Sequence, residues 1–198
     1  PAPIKAAAIE AINSGFTKYT PSSGIPELKN LVCEKFKKDN SLAYGTGQVV
    51  VSCGAKHSIF NTLFTLIDKG DEVLLPVPYW LSYPHMINLC SGIPRFIRTS
   101  AQNNFKLDPK ELLKHIGKKS KLLILNSPSN PSGCVYSKEE LQEIAGICVK
   151  KKIFVLSDEI YEKIIFDGVK HTSIAALNKD ICALTITVNG VSKSFSMT

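Results

Sequence analysis

Three short apolar runs, each closed by polar residues instead of being continued, constrain this chain more than any other feature: "KLLILNSPSNPSG", "IFVLSDEIYEKI" and "LTITVNGVSKSF". Each reads as a strand, and helical periodicity lies between them. That alternation predicts an α/β domain with a mostly parallel sheet and helices on both faces. Six strands are expected, over Gln48–Ser52, Glu72–Pro76, Ile93–Arg98, Lys121–Asn126, Ile153–Asp158 and Ala183–Asn189. A leading helix is expected over Pro3–Ser14, with Ile4, Ala8, Ile9 and Ile12 on one face, and a second through Leu28, Leu31, Val32 and Phe36. Asp108-Pro109-Lys110-Glu111 supplies an acidic N-cap, a first-turn proline and a glutamate for a further helix, and Ser137-Lys138-Glu139-Glu140 is a capping box. No repeat, low-complexity tract or linker divides the 198 residues.

The formal charge of +7 invites a nucleic-acid partner, but it is carried by 22 lysines and only two arginines, Arg95 and Arg98. Arginine is favoured where phosphate is captured in a bidentate manner, whereas lysine is the usual coat of a solvated surface. The lysine clusters at 37–38, 118–121 and 150–152 fall at expected helix ends or strand starts, where they complement a helix dipole. No nucleic-acid partner is therefore expected, and no membrane partner, because no apolar run is long enough to span a bilayer. The six cysteines show no CxxC spacing and no histidine at ligand spacing, so no metal is expected. Reduced thiols in the cytoplasm are the simpler account.

In an open parallel sheet, ligands bind beyond the carboxyl ends of the strands, which makes the residues just after each strand the informative ones. "SCGAKHSIF" opens a helix at a small-residue turn, an arrangement that suits a phosphate but is common without one. "PVPYWLSYP" presents Tyr79 and the single tryptophan, Trp80, either as core or as a platform for a planar ligand. "NSPSNPSGCVY" carries Asn126 and Asn130 in a turn-forming loop, where their amides could bond a ligand. Asp158 ends an apolar strand, and a carboxylate there is costly unless paired with a cation or donors. Tyr161 follows three residues on. Lys193, between Ser192 and Ser194, is expected at the same sheet edge as Asp158; it is either a lysine that snorkels to solvent, as most of the other 21 do, or, favoured by that placement, a partly buried nucleophilic amine able to form a Schiff base.

An acidic partner for a pyridinium nitrogen together with a Schiff-base lysine is the protein contribution expected around pyridoxal phosphate. With those residues in place, "NSPSNPSG", "VLSDEIYEKI" and "VNGVSKSFSMT" resemble the class I aminotransferases of the fold-type I pyridoxal-phosphate enzymes, in the bacterial-type aspartate aminotransferase branch. The resemblance runs from "YTPSSGIPEL" to Thr198. It implies the three-layer large domain of that fold type and a homodimer. It implies that Lys193 forms the Schiff base and moves a proton at the substrate Cα, and that Asp158 keeps the pyridine nitrogen protonated. Tyr161 and Asn130 would bond the ring's 3′ oxygen, with Asn130 also touching the substrate carboxylate. Trp80 would stack on the ring. Gly54, Ala55, Lys56 and Ser192 would hold the phosphate, Tyr19 would reach the phosphate of a neighbouring subunit, and Lys56 would face the distal carboxylate of an acidic substrate.

The family's usual NPNNPTG stands here as Ser127-Pro128-Ser129-Asn130-Pro131-Ser132-Gly133 after Asn126, with the key Asn130 kept. The resemblance also implies that residues 1–198 are a partial, truncated cofactor-binding domain with a leading helix over 1–18. It expects the N-terminal arm before Pro1, and the small domain with the phosphate- and carboxylate-binding arginines after Thr198. The implied activity is ping-pong amino transfer between aspartate or glutamate and a 2-oxo acid, with prephenate as a further acceptor. A carbon–sulfur β-lyase on the same scaffold, and a regulatory or fragmentary module that binds the cofactor without turnover, are the alternatives.

Overall fold

The computed structural model describes residues 1–198. Its centre is a five-stranded sheet in the order β2-β1-β3-β4-β5, formed by β1 (Glu72–Val77), β2 (Ile93–Arg98), β3 (Ser120–Asn126), β4 (Phe154–Asp158) and β5 (Thr185–Val188). Every pairing is parallel. Side chains alternate across such a sheet, and the core divides accordingly. Leu74, Leu123, Leu125 and Val155 face one side, against Leu112 of α5 (Pro109–His115) and Leu141, Ile144 and Cys148 of α6 (Lys138–Lys151). Val73, Leu75, Leu122, Ile124 and Leu156 face the other, against Ile59 and Leu63 of α3 (Ala55–Leu66) and Met86 and Ile87 of α4 (Ser82–Leu89). The result is the expected three layers, with helices on both faces.

Local signals set the helix ends. Asp108 accepts from the Lys110 N–H at 2.8 Å, and Ser137 and Glu140 exchange bonds at 3.3 and 2.6 Å as a capping box. Lys37 and Lys38 close α2 (Pro26–Asn40) and Lys150 and Lys151 close α6, each in the last turn where the dipole favours a cation. A four-residue α7 (Lys179–Cys182) is capped by Asn178 ahead of β5. No helix is long and apolar enough to cross a membrane. All six cysteines are free thiols, and burial pushes that of Cys148 up to about 12.

One expectation fails. Gln48–Ser52 is no strand: it begins in a single 3₁₀ turn over Thr46–Gln48, and its extended continuation bonds through the Val51 N–H to Ser23 O, at 2.9 Å. A strand needs a paired neighbour, and none of the five pairs with this segment. The leading helix does form, as α1 (Ala2–Asn13), but it buries no residue, and Ile9 and Ile12 are exposed. Periodicity marks an apolar face without saying what covers it.

The double-sided core predicts that Leu123→Ala costs about 2–5 kcal/mol in denaturant unfolding, whereas the volume-conserving Leu123→Met costs less than about 1.5 kcal/mol. Equal, small losses would contradict a close-packed sheet centre.

Candidate functional site at the carboxyl edge of the sheet

Parallel register aligns the strand ends. Asn126 is opposite Asp158, and Asp158 is opposite Val188, so β3, β4 and β5 finish in one row. The row is tied by backbone bonds from Ser127 N–H to Asp158 O and from Glu159 N–H to Val188 O, at 3.1 and 2.9 Å, and by the Asn126 side-chain amide on Asp158 O at 2.9 Å. The chain leaves β1 toward β2 on one side and reaches β3 on the other. The crevice between the β1 and β3 ends is therefore a topological switch point, where open α/β sheets bind ligands.

Asp158 is only 3% exposed. The Tyr83 hydroxyl donates to its Oδ2 at 2.6 Å and the Ile160 N–H to its Oδ1 at 3.2 Å. Burial holds the Asp158 carboxyl above the usual carboxylate range, while those two donors pull it partly back. Burial, reinforced by the facing Asp158 charge, likewise pushes the Tyr83 phenol well above its ordinary value, so it stays a donor. Tyr83 was not singled out in the sequence. It lies 75 residues from Asp158, and its one local signal is its place three residues after Trp80, where a helical turn can aim it beneath that ring.

From this pair a series of contacts gathers most of the expected residues. Trp80, half-buried, meets Tyr83 edge-on with ring centroids 5.4 Å apart. It packs against the core at one edge and carries Lys56 Nζ 5.0 Å from its ring centroid. Lys56 is in the first turn of α3, whose N-cap Gly54 has φ +83° and which no side chain caps. On the other side, Asn126 Oδ1 accepts from the Asn130 N–H at 2.7 Å, and Asn130 Nδ2 approaches the Tyr161 hydroxyl at 3.5 Å. Lys193 Nζ lies 5.9 Å from the Tyr161 ring centroid.

Lys193 departs from expectation in one respect: it is exposed, not partly buried. It sits in a turn past β5, the edge strand, where nothing in the chain covers it. Its position opposite Tyr161 distinguishes it, and burial does not. Ser192 is half-buried in the same turn, while Tyr19 is fully exposed on a segment outside this series of contacts. Arg95 and Arg98 are exposed on β2, at the far end of the sheet from β5.

The donor set fits pyridoxal phosphate. A buried carboxylate without a cationic side-chain partner suits a protonated ring nitrogen, a half-exposed indole suits a flat ring, and the uncapped N–H groups of α3 suit a phosphate.

Without added cofactor, the buried carboxyl makes stability depend on pH. The folded carboxyl holds its proton more tightly than the unfolded chain does, so stability falls as pH rises from 3.8 through the raised folded value. Asp158→Asn cannot titrate, so its stability relative to the parent is expected to rise across that window and then level off, read by urea unfolding at stepped pH. Tyr83→Phe is expected to extend the window upward. A pH-independent difference would refute a buried carboxylate held by donors alone.

The profile of the family described as aminotransferase class I and II matches residues 1–198. Aspartate aminotransferase of Bacillus sp. (strain YM-2) is 46% identical over 198 residues, all of this chain and 50% of that protein. Probable aspartate/prephenate aminotransferase of Rickettsia felis is 47% identical over 196 residues, 98% of this chain and 48% of that protein. The crystal structure of the aspartate aminotransferase from Rhizobium meliloti superposes with a TM-score of 0.98 at 40% identity, covering 100% of this chain and 50% of that one. The chain thus spans about half the length of the relatives it matches.

Proposed function

The chain belongs to the class I and II aminotransferase family, and from that premise we propose that its protein transfers amino groups between an amino acid, aspartate or glutamate, and a 2-oxo acid, with pyridoxal phosphate as cofactor. The observation that carries this reading is the buried Asp158 carboxylate, aligned with Asn126 and Val188 and facing the same edge as Tyr161 and Lys193. The relatives' names support the amino donor, and one of those names supports prephenate as a further acceptor. Neither the lyase nor the non-catalytic module draws support from them.

When bound, pyridoxal phosphate supplies an aldehyde that condenses with amines and a ring that accepts the electron pair left at the substrate Cα. Lys193, reachable from solvent, would engage that aldehyde and then carry the proton at Cα. Asp158, kept from water, would hold the proton on the ring nitrogen; a cation there offsets the cost of its burial. Tyr161 and Asn130, 3.5 Å apart, would share the ring's 3′ oxygen, Asn130 reaching the substrate carboxylate as well. Trp80 would cover one ring face, and its edge-on contact with Tyr83 would fix the tilt. Gly54, Ala55, Lys56 and Ser192 would hold the phosphate at the α3 N-terminus, Lys56 also facing a distal substrate carboxylate. Tyr19 would serve the site of a second subunit in a homodimer. By the same reading residues 1–198 are the cofactor-binding part of a protein of the relatives' length, and its free thiols support a cytoplasmic setting.

The protein mixed with pyridoxal phosphate is expected to develop a visible absorption band that Lys193→Ala abolishes. With aspartate and a 2-oxo acid it is expected to yield oxaloacetate and the new amino acid without net ammonia. Release of ammonia and pyruvate from a β-substituted amino acid would turn the reading to the lyase. Lys56→Ala is expected to reduce the preference for dicarboxylic over neutral substrates, seen in the ratio of kcat/KM values.

A further inference from the structure

The turn after β4 has two faces. Glu162 donates its N–H to Glu159 O at 3.0 Å and Ile164 donates to Tyr161 O at 2.8 Å, so two successive turns close there. Asp158 and Tyr161, three residues apart, serve the site described above. Glu159 and Glu162, also three apart, are 1% and 7% exposed and belong to a separate buried polar cluster.

Glu159 Oε1 accepts from the Ser157 and Ser173 hydroxyls at 2.8 and 2.7 Å. Its Oε2 accepts from Asn40 Nδ2 at 3.3 Å and pairs with His171 Nε2 at 2.9 Å. Glu162 Oε1 pairs with Lys35, and its Oε2 accepts from Asn40 Nδ2 at 2.6 Å. Lys35 Nζ reaches on to Asn40 Oδ1 at 2.7 Å. Donor atoms of Glu159, Glu162 and His171 lie within 4.8 Å of one another, as a metal site would require. Every carboxylate oxygen is already engaged, however, so protein donors do there what an ion would do.

Two buried carboxylates are a costly way to stabilise a turn, since an apolar packing of the same volume would serve stability as well or better. A network whose carboxylate oxygens are all engaged, with only His171 Nδ1 left without a partner, does what an apolar packing does not: it specifies one geometry. Here it fastens the turn to α2, 119 and 122 residues away along the chain. Tyr161 lies between the two fastened glutamates. A rotation that released Glu162 would carry Tyr161 with it, out of its 3.5 Å approach to Asn130, already at the limit of a hydrogen bond.

We propose that Glu159 and Glu162, clamped by Asn40, Lys35 and His171, are positioning residues that set the Tyr161 phenol against the cofactor ring. The inference rests on the pyridoxal phosphate reading of the site.

The test follows the pH midpoint of the bound cofactor's absorption. Glu162→Ala and Asn40→Ala are each expected to move it by about 1 unit in the direction that Tyr161→Phe does. Asn40→Ala changes no charge, and because it lies outside the turn it reads the same effect if Glu162→Ala does not fold. Added to Tyr161→Phe, either change is expected to shift the midpoint no further, because it acts through the lost phenol. Glu162→Gln, which keeps an acceptor for Asn40, is expected to return the midpoint most of the way to that of the unaltered protein. An unmoved midpoint, or shifts that add on the Tyr161→Phe background, would overturn the proposal. Without cofactor, exchange of the Ile164 amide is expected to quicken about tenfold in Asn40→Ala; unchanged exchange would overturn the clamp by itself. Absence of a visible band in the unaltered protein would sink the cofactor reading instead, and the exchange measurement would still judge the clamp.

Discussion

Asp158 ends a central strand with its carboxylate almost wholly out of water, and the surrounding structure is organised by the need to satisfy it. A charge so placed costs several kcal/mol unless donors or a cation answer it. The chain supplies donors, the Tyr83 hydroxyl and the Ile160 N–H, and they leave the carboxyl still raised above its ordinary range. A partial answer of this kind is what a ligand with a protonated nitrogen would complete.

The same residue is where the fold's layers converge. Its backbone carbonyl takes bonds from Ser127 and Asn126, which ties the β3 loop to β4, and the Glu159 N–H beyond it ties β4 to β5. Through Tyr83 it reaches Trp80 and the face of the sheet covered by α3 and α4. Through the turn that follows it reaches α2, by way of Glu159, Glu162 and Asn40. One strand end therefore couples the α3 and α4 face of the sheet, and α2, to the crevice through polar bonds.

The strands around β3, β4 and β5, the caps of α5 and α6 and the lysines at helix ends are legible in the sequence because each depends on neighbours a few residues away. The candidate site residues Asp158, Tyr161, Asn130, Trp80 and Lys193 are legible for a related reason: in a parallel sheet, being just after a strand is already a spatial address. Gln48–Ser52 reads as a strand and is not one, since strand character needs a partner that periodicity does not supply. Partial burial of Lys193 is the expectation from its flanking serines and its place at the sheet edge with Asp158, yet an edge strand leaves the residues past its end open to solvent.

By itself, then, the sequence determined the α/β architecture, the order in which polar residues meet the sheet edge and the chemistry those residues could perform. The first two follow from local alternation and capping, and the third from the resemblance carried by the motifs at the strand ends. The register that sets Asn126, Asp158 and Val188 in one row, the Tyr83 hydroxyl beneath Asp158, and the engagement of Glu159 and Glu162 by Asn40 and His171 were decided only by tertiary structure. Most of these contacts join residues scores of positions apart. Such bonds are chosen by which surfaces the packed layers bring together, and nothing in the local pattern around a lone tyrosine or asparagine carries that information.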